Sequence, residues 1–165
     1  MEFKDVVYGR RSVRDFDGTP VEREKITEML KAAMAGPSAE NKRPWQFLVV
    51  DEGGQLDNLR DALKYGKYNY PAAVVVLGDA VTSKHYWHVD GLIAATNLCN
   101  AAADLGVDSI FIGLYPFENE WTVVQEHMGL AENIKPVCVI GLGYGKKQEE
   151  PRTQYEETRV HWNQY

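Results

Sequence analysis

A continuous apolar segment, AAVVVLG at residues 72–78, constrains the fold of this chain more than any other feature. A strand of this composition offers no polar face to water, so other elements must cover both of its faces. We therefore predict a central strand here, in a sheet with helices packed against it.

Further strands and helices follow from the apolar pattern along the chain. Thr19 and Glu22 have the spacing of a capping box, and Pro20 fits the first turn of the helix that they would begin. Gly36-Pro37 would end that helix. The other predicted helices are 2–8, 56–63, 87–105 and 117–127, and the other predicted strands are 45–50, 109–115 and 137–145. Four apolar strands alternating with helices indicate an α/β or α+β sandwich.

Length and charge limit the classes of protein that fit. The 165 residues suit a single domain, residues 1–165, and a formal net charge of -6 disfavours a general nucleic-acid surface. Any anion site must therefore be local. The amino-terminal segment is charged, and no apolar run approaches the length of a membrane span, so we expect a cytoplasmic protein without membrane or nucleic-acid partners.

Several well-known motifs are missing. GLGYGK ends in Lys146 where a dinucleotide fingerprint needs glycine, and neither a P-loop nor a GxSxG elbow occurs. His85, His88 and Asp90 lack a second ligand cluster, so we predict no metal site. Cys99 and Cys138 lie in apolar segments outside any CxxC spacing and are interpreted as reduced, buried thiols.

Three polar or glycine-containing segments carry the functional signal. RRSVR at 10–14 places three guanidinium groups and a hydroxyl within five residues, a density suited to a phosphate and a polarised ring, although alone it also fits a solvated basic turn. GPSAENKRPW at 36–45 follows a helix stop. IGLYP at 112–116 ends a strand with a glycine, which lets backbone amides approach a flat ligand.

Together, in this order, these segments resemble the nitroreductase family of FMN-dependent oxidoreductases. The likeness extends through GLGYGKKQEEPR to the aromatic tail and spans nearly the whole chain. It implies an α+β three-layer sandwich, with a central, mostly antiparallel sheet flanked by helices. It also implies an intertwined homodimer with two FMN sites at the subunit interface. The small-residue helix 91–103 would pack against its twin, and the tail 146–165 would dock on the partner.

The resemblance also implies how the phosphate end of FMN is held. Residues 10–12 would meet the phosphate and the ribityl chain, with Lys146 and Arg152 as further phosphate partners, and Arg14 would approach the pyrimidine edge. The full set of cofactor-binding residues carried over by similarity is Arg10, Arg11, Ser12, Arg14, Pro37, Ser38, Ala39, Asn41, Ile112, Gly113, Leu114, Gly143, Lys146 and Arg152.

At the ring end, the resemblance implies contacts from two chains. Residues 37–41 of the other subunit would lie against the isoalloxazine, and the main-chain amides of Gly113 and Leu114 would face N5. A cation such as Arg14 would stabilise the negative charge of the reduced ring. No side chain is assigned as catalytic because the chemistry occurs at flavin N5.

The implied reaction transfers two electrons from NADH or NADPH to a small acceptor such as a nitroaromatic or quinone. Donor and acceptor would share one pocket, which predicts ping-pong kinetics. Only some thirty residues separate Leu77 from Ser109, which leaves room for one helix and no lid. The pocket is therefore expected to be open, and segments 65–70 and 85–88 receive no assignment.

Two alternatives remain open from the sequence. The same scaffold hosts flavin proteins with specialised reactions, such as dehalogenation, flavin fragmentation and ring oxidation. A second alternative is a dimeric interaction protein that has lost flavin. Retention of RRSVR, PSAEN and IGLYP disfavours that second reading.

Overall fold

A computed structural model describes all 165 residues of the chain. Its centre is a four-stranded sheet in the order β1-β2-β4-β3, and each neighbouring pair is antiparallel. The strands are β1 (Trp45–Val50), β2 (Ala72–Asp79), β3 (Asp108–Gly113) and β4 (Ile134–Gly143). The helices are α1 (Phe3–Gly9), α2 (Arg23–Met34), α3 (Gly53–Ala62), α4 (Trp87–Asp104) and α5 (Glu118–His127), with short 3-10 turns at Ala39–Asn41 and Glu157–Arg159.

The sheet is the middle of three layers. Alternate residues of β2 point to opposite faces, so Val74 and Val76 join the core beneath α2 and α4, while Val75 and Leu77 join the core beneath α3 and α5. All seven residues of the 72–78 segment are buried. The predicted central strand and the α+β three-layer sandwich are therefore confirmed.

Small residues bring α4 close to the sheet of its own chain. A Cβ added to Gly91 would lie 2.8 Å from Val137 Cγ2, and one added to Gly78 would lie 2.7 Å from the carbonyl oxygen of Trp87. Ala94 and Ala102 are also fully buried within the single chain. Packing within one chain thus explains these small residues, and they do not by themselves indicate contact with a second copy.

The predicted start of α2 is wrong. The helix begins at Arg23 rather than near Pro20, and no side-chain cap is formed. The side chain of Glu22 accepts a hydrogen bond of 2.6 Å from the Tyr144 hydroxyl, while the N–H of Thr19 donates to Asp17 at 2.7 Å. Both members of the supposed capping box are therefore engaged elsewhere.

Two strand ends also differ from the prediction. β3 ends at Gly113 instead of continuing to residue 115, because the N–H groups of Leu114 and Tyr115 both donate to the carbonyl of Val137 as the chain leaves the ladder. β4 begins three residues earlier than predicted, at Ile134, where it pairs with Asp79 of β2. Its last residue is Gly143 rather than residue 145.

Residues 146–165 lie exposed along their whole length. Trp162 is 83% exposed, and Tyr155, Val160 and Tyr165 are exposed as well. The N–H of Arg152 donates to the carbonyl of Tyr8 at 2.9 Å and ties the first part of this tail to α1. Separately, none of the helices combines the length and the apolar character needed to cross a membrane.

Asp79 holds the turn that follows β2. Its carboxylate accepts hydrogen bonds from the Thr82 hydroxyl at 2.6 Å, from the N–H groups of Val81 and Thr82, and from Asn133. These bonds, the one from the Thr82 hydroxyl first, lower the pKa of Asp79 from its ordinary value near 3.8 to about 2. The carboxylate form is therefore favoured in the folded protein.

We expect replacement of Asp79 by alanine to lower the free energy of unfolding by about 1–3 kcal/mol at neutral pH. Because the folded pKa is depressed, the stabilisation is complete above the unfolded pKa, near 3.8, and is lost as pH falls through the folded value of about 2. Urea unfolding from neutral pH downwards checks both points. Asp57→Asn, at an exposed i,i+3 ion pair, is the control. If the free energy of unfolding depended on pH in the same way in Asp79→Asn as in wild type over this range, the assignment would be wrong.

Candidate functional site

The Arg10–Arg14 segment runs along the open edge of β3. Ser12 pairs with Ser109 in a parallel bridge, and the N–H of Val13 donates to the carbonyl of Ser109 at 3.0 Å. The side chain of Val13 is buried, whereas Ser12 and Arg14 on either side of it are exposed. Alternation along this extended segment therefore directs its polar side chains outwards.

Five cations of this region lack acidic partners. No ion pair involves Arg10, Arg11, Arg14, Lys147 or Arg152, although many other lysines and arginines of the chain are paired. Five unpaired cations thus lie in one region of a chain with 24 acidic and 18 basic residues. They are the group of positive charges that a phosphate would need.

Backbone contacts hold part of this cluster together. The N–H of Arg152 and the guanidinium of Arg11 both donate to the carbonyl of Tyr8, at 2.9 and 3.4 Å. Arg10, Arg11 and Lys147 line one cleft, of about 310 Å³. Acidic residues line it too, namely Asp5, Asp108 and Glu149, but Asp108 is engaged by the N–H of Gly145 at 2.8 Å.

Lys146 and Lys147 differ in availability. The ammonium group of Lys146 lies 2.8 Å from the Asp15 carboxylate, which neutralises the cation predicted to meet phosphate. The adjacent Lys147 has no such partner and lines the cleft beside Arg10 and Arg11. The sequence analysis missed Lys147. The doubled lysine of GYGKK was the available signal, but sequence could not show which of the two would find a carboxylate.

A second cleft, of about 240 Å³, continues from Arg10 along β3 and is lined by Ser12, Thr96, Cys99 and Phe111. Burial raises the pKa of the Cys99 thiol, so the thiol form is favoured there. The cleft thus presents a hydroxyl, a neutral thiol and an aromatic edge beside the cations. It is chemically suited to an uncharged part of the same ligand.

The two backbone amides predicted to face a ring differ in availability. The Leu114 N–H already donates to Val137 at 3.1 Å, so its predicted role as a free donor needs correction. Alternation along the ladder turns the preceding Gly113 N–H away from β4, towards the open edge. Ile112 offers no side-chain contact, because it is 8% exposed and packs in the core beneath α3 and α5.

Gly143 is also placed differently from its predicted role. It is buried at the end of β4, and an added Cβ would lie 2.6 Å from Pro71 Cδ and 2.7 Å from Phe16 Cδ1. Its lack of a side chain is needed for close packing inside the protein. The contacts of Gly143 within the chain are therefore packing contacts, and a role in cofactor binding stays a prediction.

The Pro37–Arg43 segment is bonded to the amino-terminal part of α4. The N–H of Ala39 donates to Asp90 Oδ1 at 3.1 Å, in the first turn of that helix. The hydroxyl oxygen of Ser38 accepts from the N–H of Arg43 at 3.0 Å. Thr96 and Cys99, by contrast, line the cleft beside Arg10.

One chain therefore does not bring the predicted residues together. Asp90 and Cys99 are nine positions apart on α4, a separation of about 14 Å along the helix axis. The basic segment 10–14 lies near one of these positions, and residues 37–41 lie near the other. The resemblance implied a site in which these two parts come from different chains.

Two of residues 85–88 take part in aromatic packing. His88 stacks on Tyr115 with ring centroids 4.2 Å apart, and Trp87 contacts Tyr115 edge-on at 5.7 Å. Burial lowers the pKa of His88, so the neutral imidazole is favoured. No group of three or more potential ligands is placed to hold a metal ion. The cluster is aromatic packing at the start of α4.

Comparison with known proteins places the chain in a family. The model of the Nitroreductase family matches residues 7–67 and 62–144. A relative from Archaeoglobus fulgidus, named "Putative NADH dehydrogenase/NAD(P)H nitroreductase", is 35% identical over 164 residues, covering 94% of each chain. A solved structure of the same name from Bacteroides thetaiotaomicron is 38% identical with a TM-score of 0.94, covering 100% of this chain and 99% of the other.

An "FMN-dependent Nitroreductase" from Clostridium difficile R20291 is also similar in structure. It is 27% identical, with a TM-score of 0.89, and the match covers 97% of this chain and 98% of that one. The chain belongs to the nitroreductase family, a family of oxidoreductases. The resemblance read from RRSVR, PSAENKRPW and IGLYP is thereby confirmed.

The packing role of Gly143 leads to a direct test. We expect Gly143→Ala to lower the free energy of unfolding by about 1–3 kcal/mol, because the new methyl group would overlap Phe16 and Pro71. Gly54→Ala in α3, where nothing lies within 4 Å of the added Cβ, is the matched control and is expected to be neutral or slightly stabilising. Thermal unfolding of both variants distinguishes them; a Gly143→Ala protein as stable as wild type would refute the packing argument.

Proposed function

We propose that this protein is an FMN-dependent oxidoreductase that transfers two electrons from NADH or NADPH to a small acceptor such as a nitroaromatic or a quinone. The observation that carries the proposal is the cluster of unpaired cations, Arg10, Arg11, Arg14, Lys147 and Arg152, in a chain that is acidic overall. Membership of the nitroreductase family supports the same cofactor and electron donor.

The residues present fit a flavin mononucleotide. Arg10 and Arg11, with Lys147 and Arg152, would hold the phosphate through charge-assisted hydrogen bonds. Arg14 would supply a fixed positive charge, and its guanidinium already donates to the carbonyl of Ser12 at 3.3 Å. When bound, FMN supplies the two-electron redox chemistry that the side chains of this site lack.

The free amide at the end of β3 suits the ring of the same cofactor. The Gly113 N–H lies at the open edge, and nothing lies within 4 Å of a Cβ added at this glycine. A flat ligand could therefore approach the backbone closely. The Arg10–Phe111 cleft lies along the same strand and would accommodate the part of the cofactor between phosphate and ring.

We further propose that the working form is a homodimer in which residues 37–41 of one chain complete the site of the other. The separation of about 14 Å along α4 supports this arrangement, because it places the two halves of the predicted site apart within one chain. The tail supports it as well. Its exposed Tyr155, Val160, Trp162 and Tyr165 have no apolar cover within the chain and suit a surface that docks on the partner.

The first test is the visible absorption spectrum of the purified protein, followed by NADH or NADPH without oxygen. We expect a flavin spectrum that bleaches on addition of the nucleotide and recovers with a quinone or a nitroaromatic. Bound flavin that neither nucleotide reduces would assign the protein to a specialised flavin reaction. A colourless protein that FMN cannot reconstitute would overturn the proposal.

The phosphate site has its own test. We expect joint replacement of Arg10 and Arg11 by alanine to weaken FMN binding by more than about tenfold, because each charge-assisted contact contributes about 1.5–3 kcal/mol. Titration of apo-protein with FMN, followed by fluorescence, gives the affinity. The matched control replaces Arg23 and Lys31, two exposed cations of α2 that form ion pairs elsewhere. Equal affinities in the two double variants would show that the phosphate site is misplaced.

A further inference from the structure

The loop between α2 and β1 has an unusual backbone. Glu40 and Asn41 both have φ of 54°, and Arg43 has φ of 50°. Side chains other than glycine rarely adopt this left-handed region, and three such residues within four positions cost conformational free energy. Such a loop keeps its shape only where surrounding contacts hold it in place.

Few contacts hold this loop from outside itself. The Ser38 hydroxyl and carbonyl and the Ala39 carbonyl are bonded to other members of the loop. The bond from the Ala39 N–H to Asp90 Oδ1, at 3.1 Å, is the side-chain contact that ties the loop to another element. Within residues 37–43, the hydrogen bond to α4 is thus made to one carboxylate.

Asp90 itself is not explained by packing. It is 2% exposed, on the face of α4 that also buries Gly91, Ala94 and Ala95, so an apolar residue would fit the pattern better. Its Oδ2 atom is buried without a hydrogen-bond partner. Burying a carboxylate with one unsatisfied oxygen is costly, and it points to a need for the acceptor at Oδ1.

We propose that Asp90 is a positioning residue, which fixes the 37–43 loop so that Ser38 and Asn41 lie correctly against the cofactor of the partner chain. This inference rests on the proposed function. Asp90 is suited to the role because α4 is itself held at fixed height above β4 by the contact between Gly91 and Val137. The carboxylate therefore fixes the position of the loop relative to the sheet of which β3 is the edge strand.

The test compares two replacements of Asp90 in the full-length protein. Asp90→Ala removes the acceptor of the Ala39 N–H, whereas Asp90→Asn keeps an oxygen at that position. We expect hydrogen–deuterium exchange of the flavin-free protein to be about tenfold faster or more in the 37–43 peptide of Asp90→Ala only. We also expect FMN binding to be about tenfold weaker in Asp90→Ala, because one hydrogen bond is lost. In Asp90→Asn the hydrogen bond is retained, so FMN binding should be near normal.

The matched control is Gln125→Ala. Gln125 also braces a loop, since its amide donates to the carbonyls of Ala131, Glu132 and Ile134, but it lies on α5, on the opposite face of the sheet. We expect this variant to lose stability without a change in FMN affinity or in exchange of the 37–43 peptide. Should Asp90→Ala fail to fold, Asp90→Ser replaces it, because the shorter hydroxyl cannot span the same gap.

The inference and the proposed function fail in different ways. Wild-type protein that binds no FMN would defeat the proposed function, whereas the exchange measurement would still report on the loop. Wild-type protein that binds FMN, with Asp90→Ala binding it equally well, would overturn the inference alone. Equal exchange in the alanine and wild-type loops, or an asparagine variant as impaired as the alanine variant, would likewise overturn it.

Discussion

Burial of the β2–β4 pair on both faces is the constraint on which the rest of the structure depends. Neither strand has a face exposed to water, so a layer of helices must cover each side of the sheet. The α4 helix must approach the sheet closely enough to leave no gap. Gly78 and Gly91 permit that approach, since a Cβ at either would overlap Trp87 or Val137. The position of α4 is thereby fixed relative to the sheet, and so is everything attached to either end of that helix.

Different parts of α4 then carry different parts of the candidate site. Thr96, in the middle of the helix, and Cys99 line a cleft together with Arg10 and Ser12. In its first turn, Asp90 holds the loop with Ser38 and Asn41. The helix keeps these two sets of residues at a fixed distance from each other. In the proposed dimer, each chain would supply one of the two sets to a shared site.

Much of the fold was predictable because strong local patterns agreed with tertiary demands. The segments 45–50 and 72–78 form strands whose ends lie at or within one residue of the predicted ends. Their apolar pattern is strong enough to predict a buried strand without knowledge of distant contacts. The start of α2 was mispredicted because capping signals are weak. The Glu22 carboxylate instead accepts a hydrogen bond from the Tyr144 hydroxyl, 122 residues away in sequence. The packing role of Gly143 could not be predicted for a similar reason, because its neighbours Phe16 and Pro71 are distant in sequence.

The candidate site was predictable in its residue types but not in its pairing. RRSVR indicates a cluster of cations. Whether each cation is unpaired depends on which carboxylates lie next to it in the folded chain. Asp15 neutralises Lys146 and leaves Lys147 available, a distinction between adjacent identical residues that only the tertiary structure makes. Asp90 gave no sequence signal beyond a carboxylate in a small-residue helix. Its meaning arises from burial, from the Ala39 N–H and from the left-handed backbone of the loop, three features that exist only once the chain has folded.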